Sequence, residues 1–185
     1  HIVGNYNAPN NQMQFMIRRQ INEYGFWIGN SGSYYSINST SAPTLNTWEH
    51  VAMSYNGSIL TAYVNGVVTG TLAISYASLG LTTNSLIIGG NNNINENFSG
   101  DIDEVRIWNR ALCKGEIVHN MNIELPKGQP GLIAYYKFNQ GLDNSNNSTV
   151  TTLADSSGNS YDGTLNDFAL SGTTSNWIAR GAVTS

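Results

Sequence analysis

The sequence predicts an all-β protein, an antiparallel sandwich with one short helix. Short runs that alternate apolar and polar residues, each bounded by Gly or Asn, recur along the 185 residues. Helical periodicity is confined to one stretch. Asn 26, Gly 19, Ser 19 and Thr 15 together fill 79 positions, which supplies turn formers and residues suited to exposed strand faces. With only 4 Pro and many aromatic and β-branched stretches, this bias is not low complexity.

Taken in order, Met13, Phe15 and Ile17 alternate with Gln12, Gln14 and Met16, and Tyr24 to Ile28 follows a short polar break, so two strands are expected. Trp48 to Tyr55, Ile59 to Val64 and Val67 to Leu72 are separated by Asn56-Gly57 and Asn65-Gly66. Asn-Gly between alternating runs predicts type I′ hairpins, because both central residues must take positive φ. Leu86 to Ile88 and Ile102 to Trp108 are further strands, and Lys114 to Met121 is the short helix, weakened by Gly115. After Pro126 to Pro130 comes a strand at Leu132 to Phe138, then turn-rich sequence between short strands. About nine strands in one chain point to a sandwich.

Composition removes several function classes. Charged residues are 11% of the chain and the net charge is −4, so a nucleic-acid footprint is not expected. No apolar run approaches the ~20 residues of a membrane helix, so membrane insertion is not expected. The single cysteine, Cys113, excludes an internal disulfide framework and a cysteine-based zinc site. His1, His50 and His119 have no zinc spacing, and no phosphate loop or serine elbow occurs. The abrupt start at His1 reads as a mature or excised fragment.

The string NTWEHVAMSYNGSILTAYVNGVVTGTL, then SLIIGG, then FSGDIDEVRIWNRAL resembles the bacterial laminin-G-like and pentraxin-like jelly rolls over most of residues 1–125. The resemblance implies a concanavalin A-like sandwich. It also implies a calcium-stabilised module for adhesion or carbohydrate binding, from a larger extracellular or cell-surface bacterial protein. Residues 126–185, with GLIAYYKFNQG and DSSGNSYDGTLNDFAL, resemble the opening segment of the same family. They would either complete the sandwich of residues 1–125, the favoured reading, or begin a second repeat. An isolated half-domain would leave Tyr135, Tyr136, Phe138 and Trp177 without a core.

Asp101-Ile102-Asp103-Glu104 is the densest acidic cluster. Ile102 and the inward pair Val105 and Ile107 fit one strand only if a bulge near Asp103 and Glu104 changes the face. The cluster echoes a bulged strand of sandwich-fold glycoside hydrolases, but Asp101 stands for the first Glu and no second Glu follows, so no catalytic residue is assigned. The resemblance implies instead that Asp103 ligates calcium with Asp155 and Asn159 of the DSSGN loop, joined by Asp162, since calcium takes six to eight oxygen ligands. A plain Asx turn is the alternative for that loop.

A second set of residues reads as a ligand site. Asn10, Asn11, Asn91, Asn92, Asn93 and Glu96 fall where pentraxin-like domains place their ligating loops, with a solvated Asn-rich loop as the alternative reading. Their amides also suit vicinal sugar hydroxyls. Trp27 and Tyr35, with Tyr34, are the aromatic candidates for stacking on a sugar face. The sequence thus predicts a non-catalytic glycan-binding and adhesion module whose partners are a surface polysaccharide and neighbouring domains of a longer chain. A structural spacer without a small ligand and a glycan-cleaving hydrolase are the rival readings.

Overall fold

The computed structural model describes residues 1–185 except 8–11, 31, 77, 81, 92–95, 172–174, 180, 182 and 184–185. The chain divides into two compact units, His1–Gly100 with Ala111–Met121, and Asp101–Arg110 with Asn122–Ser185.

In the first unit, β1 (Val3–Gly4), β2 (Phe15–Arg19), β3 (Tyr24–Asn30), β4 (Ser33–Asn38) and β8 (Ile87–Ile88) form a five-stranded sheet in the order β4-β3-β2-β1-β8. Its pairs are all antiparallel. A second antiparallel sheet holds β5 (Val51–Tyr55), β6 (Ile59–Val64) and β7 (Val67–Ala73). Side chains alternate across each sheet, so Phe15, Ile28 and Ile37 share one face, and they pack with Leu60, Met53 and Leu72 of the second sheet. Ile28 and Leu60 are fully buried, and removing a side chain such as Leu60 would cost about 2–5 kcal/mol. This is the expected antiparallel sandwich.

The two Asn-Gly pairs make different turns. Asn65 and Gly66 have φ of 49° and 72°, the type I′ hairpin. At Asn56-Gly57 only Gly57 is positive; the Asn56 Oδ1 accepts the N–H groups of Ser58 and Ile59 at 3.0 and 2.8 Å, which makes an Asx turn of a three-residue loop. The helix α1 (Lys114–Asn120) buries Ile117, and the Glu116 carboxylate accepts the Cys113 N–H at 2.9 Å, one half of a capping box.

The second unit contains β9 (Val105–Trp108) paired with β10 (Leu132–Tyr136), and β11 (Thr152–Leu153) paired with β12 (Gly163–Thr164). The β9–β10 pair straddles the boundary read at Pro126. Leu125, Leu132 and the fully buried Tyr135 form its core with Trp108. The expected irregularity ahead of β9 is present, since Glu104 takes a left-handed φ of 56° and the strand begins only at Val105. Among the described residues, no helix is long and apolar enough to cross a membrane.

Candidate functional site

The face of the five-stranded sheet opposite the core is built in cross-strand rows. Register places Arg18, Gly25 and Asn38 in one row, Met16, Trp27 and Ser36 in the next, and Gly29 with Tyr34 in a third. Gly25 lets the Trp27 indole lie along the sheet, because a Cβ there would overlap the ring atoms Cη2 and Cζ3. The Arg18 guanidinium stacks 5.3 Å from the indole centroid.

At the edge of that ring, four polar side chains are already hydrogen-bonded to one another. The Gln20 Nε2 donates to the Glu23 Oε1 at 3.1 Å and to the Asn38 Oδ1 at 3.4 Å. The Asn38 Nδ2 donates to the same Glu23 oxygen at 2.7 Å, and Arg18 Nη2 reaches the Gln20 Oε1 at 3.5 Å. Gln20 and Glu23 flank a two-residue turn closed by the Gln20 N–H to Glu23 C=O bond at 2.8 Å, so the hairpin itself fixes their spacing. An aromatic plate beside a pre-organised array of amide, carboxylate and guanidinium groups is chemistry suited to sugar hydroxyls.

Of the two adjacent tyrosines, Tyr34 shares the Trp27 face and is 52% exposed. Tyr35 pairs with Ile28, so it faces the opposite side and packs edge-on to Tyr76 with centroids 5.0 Å apart. Glu96 is bound within its own neighbourhood, with its Oε2 3.1 Å from the His1 Nε2 and accepting from the Asn91 Nδ2. Asn10, Asn11, Asn92 and Asn93 lie outside the described residues.

In the second unit, the structure brings Asp155, Asn159 and Asp162 into one loop. The Asp155 Oδ1 accepts the N–H groups of Tyr135 and Ser157, both at 2.9 Å; its Oδ2 accepts the Ser157 hydroxyl at 2.7 Å and the Tyr161 N–H at 3.0 Å. A carboxylate offers about four lone-pair positions, and four donors occupy them. Burial pushes the Asp155 pKa up, but these hydrogen bonds outweigh it and hold the group below the usual carboxylate value. The Asp162 Oδ1 accepts the Asp155 N–H at 2.8 Å, and the Asn159 Nδ2 donates to the carbonyls of Leu132 and Ile133 at 3.0 and 2.8 Å. The lone pairs of Asp155 thus serve the loop, so a cation would have to compete with these N–H and O–H donors for that carboxylate. Asp103 lies just ahead of β9, with Oδ1 accepting the Glu104 N–H at 2.9 Å. Among the described residues, no three His, Cys, Asp or Glu side chains gather as a metal group.

Glu104 is locked rather than presented. Its Oε2 is ion-paired to Arg106 and accepts the Tyr135 hydroxyl at 2.6 Å, with side-chain exposures of 10% for Glu104 and 9% for Arg106. Burial raises the Glu104 pKa, and the Tyr135 hydrogen bond and the Arg106 charge offset this only in part. Tyr135 is itself pushed up to about 12, first by burial and then by its bond to Glu104.

The model of the concanavalin A-like lectin/glucanases superfamily matches residues 1–118. Mouse pappalysin-1 is 32% identical over 78 residues, which is 40% of this chain and 5% of pappalysin-1. The crystal structure of a candidate carbohydrate binding protein from Bacteroides ovatus superposes with a TM-score of 0.68 at 20% identity, covering 89% of this chain and 47% of that one. An S-layer domain-containing protein from Clostridium thermocellum is 27% identical over 62% of this chain and 58% of its own, with a TM-score of 0.36. The chain thus spans less than half the length of pappalysin-1 and of the Bacteroides protein.

Proposed function

The chain belongs to the concanavalin A-like lectin/glucanase superfamily, and on that premise we propose that it is a non-catalytic glycan-binding module. It takes a saccharide on the Trp27 face of its five-stranded sheet. The observation that carries this reading is the Trp27 plate seated on Gly25 beside the Arg18, Gln20, Glu23 and Asn38 array. Each partner has a role. Tyr34 and, once Arg18 leaves its face, Trp27 offer apolar rings to the C–H face of a pyranose, and the four polar side chains exchange their mutual hydrogen bonds for bonds to its hydroxyls.

The candidate carbohydrate-binding character of the Bacteroides ovatus protein supports the ligand class. An extracellular or cell-surface setting, with adhesion through surface polysaccharide, follows from the same reading. The acidic cluster supports binding over hydrolysis, since Glu104 is tied to Arg106 and Tyr135. A glycosidase would need a second carboxyl about 5 to 9 Å away across an open substrate site.

The test is a glycan array followed by titration calorimetry of any hit against the wild type and Trp27→Ala. Binding that Trp27→Ala weakens about tenfold or more, with no new reducing ends released from the ligand, is the expected result. An array without hits, or affinity unchanged in Trp27→Ala, would overturn it and leave the spacer reading.

A further inference from the structure

We propose that a groove in the second unit is a separate binding site for a neutral saccharide. The cavity measures about 480 Å³ and its walls include Asn109, Gln129, Leu132, Ser157, Asn159 and Tyr161. That volume lies within the roughly 300–1,000 Å³ of small-molecule sites. This inference rests on the glycan reading for its ligand class alone; the residues are different.

Two loops make the groove, and backbone bonds fasten them together. The Gly128 N–H donates to the Ser157 C=O at 3.1 Å, which joins residues 126–131 to residues 155–161. The Ser157 hydroxyl bonds the Ile133 carbonyl at 3.1 Å, and the Asn159 Nδ2 bonds the carbonyls of Leu132 and Ile133, so the floor is tied to β10. Gly131, at φ 83°, brings its backbone so close to Asn109 that a Cβ would stand 2.9 Å from the Asn109 Oδ1. Gly128, at φ 76°, faces open space, where a side chain would stand in the cavity mouth or beside it.

Tyr161 supplies the aromatic wall. Its N–H is held by Asp155 at 3.0 Å and its C=O by the Tyr136 hydroxyl at 2.7 Å, while the residue remains 59% exposed. The backbone beneath the exposed ring is clamped at both ends, so the ordering entropy lost there on binding is mainly that of the side chain. Around it stand three amides and a hydroxyl. None of the described wall residues carries a charge, and the neighbouring Arg110 directs its guanidinium to the Pro130 carbonyl at 3.0 Å. With the Asn159 nitrogen and the Ser157 hydroxyl committed to the floor, the Asn109 and Gln129 amides and the Asn159 Oδ1, next to an exposed ring, match the hydroxyls and C–H faces of a neutral sugar.

The experiment titrates the isotope-labelled chain with neutral oligosaccharides of the β-glucan, mannan, xylan and chitin series and follows backbone amide shifts. The expected result is saturable shifts at Gln129, Asn159 and Tyr161 that survive Trp27→Ala, retain their affinity in Tyr161→Phe and weaken about tenfold in Tyr161→Ala. Shifts confined to the Trp27 face would overturn the groove and leave the first site standing. Shifts confined to the groove would support this inference and overturn the first site. No shifts anywhere, or shifts produced only by a peptide library, would overturn the saccharide assignment itself.

Discussion

Asp155 and Tyr161 are joined by a 3.0 Å hydrogen bond from the Tyr161 N–H to the Asp155 Oδ2, and the same carboxylate reaches back to the Tyr135 N–H of β10. One side chain therefore fixes both the loop that carries Tyr161 and its attachment to the strand. Replacing Asp155 with Asn turns an acceptor into a donor facing Ser157 Oγ and the Tyr161 N–H. We expect Asp155→Asn to lose about 2 kcal/mol in urea unfolding, in line with broken charge-assisted hydrogen bonds at a partly buried site. Its pH dependence has a defined sign. The folded pKa lies below the unfolded value of about 3.9, so ionised Asp155 adds stability above that value, and the gain is lost as pH falls through the folded pKa. Glu104, raised in the fold, acts in the opposite direction, so the comparison is with the variant: Asp155→Asn should show a shallower acid limb than the wild type. Parallel limbs would contradict the assignment.

Gly25 and Trp27 give a second prediction. A methyl group at Gly25 would overlap the indole, so Gly25→Ala must move the ring off the sheet. The expected cost is about 1–3 kcal/mol of stability, as for other overpacked sites, together with loss of glycan affinity equal to that of Trp27→Ala. Unaltered stability and affinity on thermal melting and calorimetry would mean that the plate is not seated as described.

Much of this fold is legible in the sequence, and the exceptions have physical causes. Ile59–Val64 was readable to the residue because both flanking runs alternate and both turns carry Asn-Gly. The break ahead of β9 is foreshadowed by the face change that Ile102, Val105 and Ile107 demand, but it takes the form of a left-handed Glu104 before the strand begins at Val105 rather than a bulge within one. The strand β4, SYYSIN, carries no clear signal, because it lies at the sheet edge, mostly exposed, and lacks an apolar face to show alternation. Nor does the sequence show which tyrosine joins Trp27, since register parity decides it and a shift of one residue exchanges Tyr34 with Tyr35. Asp155, Asn159 and Asp162 read as ligands because an Asx turn and a calcium loop use the same residue types, which sequence alone does not separate. Gln129 and Tyr161 carried no local signal at all, because the groove arises where two loops meet.

The Glu104, Arg106 and Tyr135 cluster leads to a third prediction. Removing the carboxylate takes the counter-charge from a nearly buried guanidinium that keeps the Ile123 carbonyl and Tyr135 hydroxyl, and loss of such a counter-charge costs up to about 3–5 kcal/mol. Glu104→Ala should approach that loss. Glu104→Gln, which keeps an acceptor for the Tyr135 hydroxyl and has no charge to desolvate, should lose less. Chemical denaturation distinguishes the two, and a Glu104→Ala variant within about 1 kcal/mol of wild type would sink the claim that this cluster is structural.

Calcium is expected to leave the melting temperature unchanged. A ligand that binds only the folded state stabilises it by about 2.7 kcal/mol at a hundredfold excess over its dissociation constant, which is a readily measured shift. To bind at the Asp155 loop, a cation would have to displace N–H donors of Tyr135, Ser157 and Tyr161, and so undo the bonds that shape the loop. Asn159 could offer only its amide oxygen, because its nitrogen holds β10 through the Leu132 and Ile133 carbonyls. Scanning calorimetry with calcium chloride and with excess chelator should therefore give coincident midpoints for the wild type and for Asp155→Asn. A rise with calcium that Asp155→Asn removes would show that the cation does win the carboxylate, and the hydrogen-bonded loop would then be only its metal-free form. A rise that Asp155→Asn leaves intact would place the cation away from this loop, and the groove beside Tyr161 would keep its neutral character.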